Sequence, residues 1–158
     1  MSEVGNNHRF VGSRTAVGYT GFKIKGNNVL VQGNYATGGV QGYQTQAGSH
    51  NLVFQGNIAY RAGDSGFFFN NADTANSLVG LIVDGNAAIE NGQAPASTSY
   101  GFAFESSAGT TMDQVIVTNN IAADNQRVHT QGAPCCCPRT RLCAGILRRR
   151  LLRVNRLS

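Results

Sequence analysis

Four times along this chain an asparagine closes a short aliphatic strand, always five positions after the strand's first aliphatic residue: Val29 to Asn34, Leu52 to Asn57, Leu81 to Asn86 and Val115 to Asn120. A small residue follows two positions later in each copy, at Ala36, Ala59, Ala88 and Ala122. A glycine-aromatic pair opens each copy, at Gly21-Phe22, Gly42-Tyr43, Gly66-Phe67 and Gly101-Phe102. The aromatics recur at intervals of 21, 24 and 35 residues, so the strand is constant and the turns absorb the insertions. Strands this short bury no face alone, and each repeat must stack on the next. In-register stacking places Phe22, Tyr43, Phe67 and Phe102 in one interior column. Ile24, Thr45, Phe69 and Phe104 form a second, and Val31, Phe54, Val83 and Val117 a third. Asn34, Asn57, Asn86 and Asn120 then form a ladder at one turn, where asparagine tolerates the dihedrals and offers both donor and acceptor. A sandwich of look-alike hairpins is the competing architecture, but hairpins do not require asparagine at a constant offset.

The overall charge of +5 divides unevenly. Residues 1–132 hold six Lys/Arg and eight Asp/Glu, a net of −2, whereas residues 133–158 hold seven Arg and no acid, a net of +7. All four cysteines also fall after residue 132, so the body carries no disulfide signal. The body therefore offers no basic face for nucleic acid. No stretch is long enough to span a membrane, and the opening MSEVGNN has no apolar core of a signal peptide. The chain divides into a solenoid of about four to five coils over residues 1–132 and an Arg/Cys-rich tail over 133–158. The tail loses every repeat feature and lacks metal-ligand cysteine spacing. It reads as disordered or weakly helical, and its composition fits translation out of the natural frame. Binding of nucleic acid by the basic tail, or of a membrane surface by a helix over residues 146–157, is the alternative for that segment.

Residues 1–20 read as the end of a coil whose beginning is absent. Val4 and Asn7 match the strand-turn offset, with Asn6 as the alternative ladder residue and Phe10 where Tyr60 falls. No cap precedes them, so the chain reads as truncated from a longer solenoid.

Side chains alternate across a strand. With the aromatics inward, one outer column reads Lys23, Gln44, Phe68 and Ala103, and its neighbour reads Lys25, Gln46, Asn70 and Glu105. Amides and cations bond hydroxyls and carboxylates, and an exposed Phe68 offers a flat face to a sugar ring. Insertions at 71–80 and 92–100 lengthen turns beside this sheet and would wall a groove over it. An ordinary solvated sheet face is the plain alternative.

These repeats resemble the right-handed parallel β-helix proteins of the pectate lyase superfamily. Gly56, Asn57, Ile58, Ala59 and Tyr60 are similar to a coil of mannuronan epimerases, and Gly21-Phe22-Lys23 is similar to a motif of family nine pectate lyases. The resemblance implies an all-β, single-stranded right-handed parallel β-helix. It implies a uronate lyase or epimerase acting on acidic polysaccharide, with Lys23 as catalytic base; the outward columns add Lys25, Gln44, Gln46, Phe68, Asn70 and Glu105 as the substrate-binding residues. It also implies an extracellular or cell-surface parent protein, and calcium as a possible cofactor. The ligands of that calcium are not identifiable: the lyases cluster aspartates upstream of the lysine, and here Glu3 is the only acid before Lys23. The epimerases' Asp-Pro-His segment does not occur. Arg61, His50 and Asp64 lie in turns, with nothing in the sequence bringing them to Lys23. A non-catalytic carbohydrate-binding β-helix, as in a tailspike or adhesin, is the alternative function, and an inactive fragment the third. Oligomeric state is not legible.

Overall fold

The computed structural model describes residues 2–16, 18–71, 77–94, 100–106 and 111–125. Each coil contributes three strands. The first coil holds β1 (Ser2–Val4), β2 (Arg9–Val11) and β3 (Arg14–Ala16); the second holds β4 (Thr20–Lys25), β5 (Asn27–Gln32) and β6 (Tyr35–Thr37). The third holds β7 (Gln41–Thr45), β8 (His50–Gln55) and β9 (Ile58–Tyr60). The fourth holds β10 (Phe67–Asn71), β11 (Leu78–Asp84) and β12 (Ala87–Ile89), and the fifth β13 (Phe102–Ser106), β14 (Met112–Thr118) and β15 (Ile121–Ala123). The strands sort into three five-stranded sheets, ordered β1-β4-β7-β10-β13, β2-β5-β8-β11-β14 and β3-β6-β9-β12-β15. Every pairing is parallel, so the described chain is an all-β solenoid of the β-helix type. The tail after residue 132 lies outside the described residues.

The interior columns form as the repeat dictates. Phe22 stacks on Tyr43 at 5.0 Å between ring centroids, Tyr43 on Phe67 at 4.6 Å and Phe67 on Phe102 at 4.8 Å, with planes within 7° of parallel. Coil spacing of about 4.8 Å imposes those distances, and they are those of offset stacks. Phe54 meets both Tyr43 and Phe69 edge-on, which locks the second sheet's column against the first. Opposite the aromatics the interior narrows to the alanine column. A Cβ on Gly42 would lie 2.6 Å from the Gly66 carbonyl and 2.9 Å from the Ala59 methyl. That close approach is why glycine precedes each aromatic.

The asparagine ladder is continuous. The Asn57 carboxamide oxygen accepts from both the backbone N–H and Nδ2 of Asn34, and Asn57 Nδ2 donates to Val31 O and Asn86 Oδ1. Asn86 repeats this with Asn120. The glycine before three of the rungs, as at Gly33 and Gly56 (φ 62° in both), supplies the left-handed corner, where a Cβ would touch nothing, and Asn119 (φ 54°) takes that corner before Asn120.

The first coil differs from the sequence expectation. It supplies a strand to each sheet, rather than only a coil's end. Asn7 sits not on the buried ladder but on an exposed corner with φ 60°. The rung belongs to Ser13, whose N–H donates to Asn34 Oδ1 at 2.8 Å. Phe10 pairs with Val31, placing it in the third interior column rather than at the Tyr60 position. A small hydroxyl residue substitutes for asparagine at the first rung, and Gly12-Ser13 is the cryptic form of Gly-Asn. A second buried ladder was not anticipated: Asn91 N–H and Nδ2 both donate to Asn125 Oδ1, and Asn91 Oδ1 accepts from Ala62 N–H.

Candidate functional site

Strand alternation in the first sheet turns Phe22 and Ile24 inward and leaves Lys23 half-buried and Lys25 exposed on the outer face. Register then lays out the face. Lys23 lies beside Gln44, Gln44 beside Phe68, and Phe68 beside Ala103, one coil step apart each. Gln46 follows β7 next to Lys25, its N–H donating to Ile24 O. Asn70 pairs with Glu105. The face therefore carries cations at one end, amides in the middle and an acid at the other.

Phe68 is half-buried rather than exposed, because Gln44 and Ala103 flank it one coil away on each side. The anticipated walls lie mainly outside the described residues, at 72–76 and 95–99. The end of the first insertion is not loop: Leu78, Val79 and Gly80 begin β11.

Asp64 lies in a turn before β10, yet its charge reaches this face. Burial raises the Asp64 carboxyl above its ordinary value, against hydrogen bonds from Ser65 and Gln41 that lower it. Glu105, though exposed as a residue, has its carboxyl raised by desolvation first and by the Asp64 charge second. Both carboxyls are thus shifted upward, chiefly by burial. For a carboxyl with a raised folded-state pKa, the stabilising contribution is present below the ordinary value and lost as pH rises through the raised one. Replacing Asp64→Asn should lower the Glu105 pKa toward the ordinary glutamate value, read by carboxyl-carbon NMR. An unchanged Glu105 titration would refute the coupling.

Arg61 and His50 do not join this face. Arg61 lies on the third sheet's corner, paired to Glu90 at 2.7 Å and over the Tyr60 ring, and His50 opens β8 in the second sheet. Among the described residues no three His, Cys, Asp or Glu side chains group as a metal site. No helix among them is long and apolar enough to cross a membrane.

A family model described as a right handed beta helix region matches residues 3–133. No curated protein and no solved structure matches the chain.

Proposed function

The chain belongs to the right-handed β-helix family, and on that premise we propose that it engages an acidic polysaccharide along the outer face of its first sheet, in an extracellular or cell-surface setting. The observation that carries this reading is the register of Lys23, Gln44 and Phe68 in one outward column. A lysine there meets a uronate carboxylate, an amide meets ring hydroxyls, and the aromatic face meets ring C–H groups. Lys25 and Gln46 extend the same chemistry one column over, with Asn70 and Glu105 farther along. Phe68→Ala should weaken binding of oligogalacturonate or oligoalginate about fivefold, the equivalent of ~1 kcal/mol for an aromatic contact. Replacing Lys23 and Lys25 together by Gln should weaken it further and flatten its salt dependence, since exposed charges are screened. Calorimetry at two ionic strengths reads both. Undiminished affinity in both variants would overturn the assignment of this face.

A second reading, uronate lyase or epimerase, rests on the lysine and the acid that one sheet carries, Lys23 on β4 and Glu105 on β13. In this reading the Lys23 amine takes the proton next to the uronate carboxylate, and the electron pair moves onto that carboxylate as an enediolate. In the lyase course the pair returns to form a C4–C5 double bond and expels the C4 oxygen, which a carboxyl such as Asp64 or Glu105 protonates. In the epimerase course a proton is returned to the opposite ring face. Absorbance from unsaturated uronate marks the first course and an altered uronate ratio by NMR the second. Binding with neither signal leaves the non-catalytic binding module.

A further inference from the structure

On the second sheet a different surface is built from amides and aliphatics. Asn7, Asn28 and Asn51 occupy successive coils at one left-handed corner, with φ of 60°, 56° and 53°. Their side chains form an exposed ladder with a direction: Asn28 Nδ2 donates to Asn7 Oδ1 at 3.1 Å and Asn51 Nδ2 donates to Asn28 Oδ1 at 3.0 Å. The next position in the column is Gly80, with φ 75°, and the one after it is Gln114, with φ 54°. At Gly80 the side chain is missing, and the ladder stops with Asn51 Oδ1 facing the vacant rung. A Cβ at Gly80 would lie 2.6 Å from that oxygen. The left-handed corner does not itself exclude asparagine, as Asn28 and Asn51 demonstrate.

The vacant rung opens a groove of about 270 Å³ bounded by Asn51, Val53, Gly80, Ile82, Gln114 and Ile116. Its floor is an aliphatic row in register, Val53 beside Ile82 beside Ile116, and the last two are 37 % and 45 % exposed. Its walls are the Asn51 and Gln114 carboxamides, two coil steps or about 9.6 Å apart. No charged side chain lines it.

We propose that this groove is a subsite for one residue of a neutral sugar. A pyranose lays its C–H face on Val53, Ile82 and Ile116. One hydroxyl donates to Asn51 Oδ1, which lies over Gly80. Another hydroxyl bonds the Gln114 carboxamide across the groove. A neutral ligand suits the wholly uncharged lining, in contrast to the first sheet, where lysines call for an anion. An amphiphilic ring satisfies the aliphatic floor and the two amides together, which neither a purely apolar ligand nor a charged one does.

The test uses the ¹⁵N-labelled protein and three neutral probes, cellohexaose, mannohexaose and xylohexaose, with oligogalacturonate as the acidic comparison. At least one neutral probe is expected to shift the amides of residues 51, 80, 82, 114 and 116 saturably, with little dependence on salt. Gly80→Asn, whose Cβ must displace Asn51 Oδ1 and whose side chain enters the groove, should weaken that binding tenfold or more. Gln114→Ala should weaken it several-fold, and it keeps the test decisive if the larger side chain perturbs the corner. Absence of shifts with all three neutral probes would overturn the proposal. So would wild-type affinity in the Gln114→Ala variant, or perturbation of these residues by oligogalacturonate alone.

Discussion

Asn57→Ala is expected to lower the free energy of unfolding by about 3 to 5 kcal/mol, because buried polar groups left without partners cost about 1 to 3 kcal/mol each. Asn57 is fully buried. Its loss takes the acceptor from the Asn34 N–H and the donor from Val31 O, and it breaks the ladder between Asn34 and Asn86. Water cannot replace these bonds in an interior packed between Phe54 and the alanine column. Gln55→Ala is the control: it removes an amide two residues away that is exposed and bonded only at the surface, to Gln32 and Asp84. That change should cost no more than about 0.5 kcal/mol, as surface substitutions do. Urea denaturation of both variants reads the difference. Equal losses would mean the buried ladder contributes nothing beyond its exposed counterpart.

Tyr43→Ala should cost a similar amount, about 4 to 5 kcal/mol, as large-to-small aromatic substitutions in packed cores do. Tyr43 is fully buried between Phe22 and Phe67 and edge-on to Phe54, so truncation removes the centre of the stack rather than its end. Its hydroxyl donates to Ile58 O at 3.2 Å, which ties the first sheet to the third across the interior. Burial pushes that hydroxyl well above the ordinary tyrosine value, so it stays a donor at any working pH. Tyr43→Phe keeps the stack and loses only this bond, at about 1 kcal/mol. Chemical denaturation of the pair separates stacking from hydrogen bonding. A Tyr43→Ala variant within 1 kcal/mol of the parent would contradict a load carried by the aromatic column.

The fold was legible where one residue type holds one offset. Asn34, Asn57, Asn86 and Asn120 stand at the same distance from their strands, and three interior columns followed from strand alternation alone. The first coil escaped because Ser13 replaces asparagine while Asn7 imitates it nearby. The Asn91 to Asn125 ladder escaped because the corresponding corner of the previous coil offers a backbone N–H at Ala62 and no side-chain rung. The column of Lys23, Gln44 and Phe68 was readable for the same reason as the core, since what alternates inward fixes what points outward. Asp64 was not, because a corner residue's direction depends on turn dihedrals that composition does not specify. The partial burial of Phe68 depends on its neighbours' side chains rather than on its own position. The groove at Gly80 is visible only once register shows that glycine to occupy the column of Asn28 and Asn51.

The reading of the first sheet is tested most directly by titrating the ¹⁵N-labelled protein with oligogalacturonate and following every backbone amide at low and high salt. The account predicts saturable shifts centred on Lys23, Gln44 and Phe68 that weaken as ionic strength rises. Saturable shifts confined to other faces, or none at low salt, would contradict it.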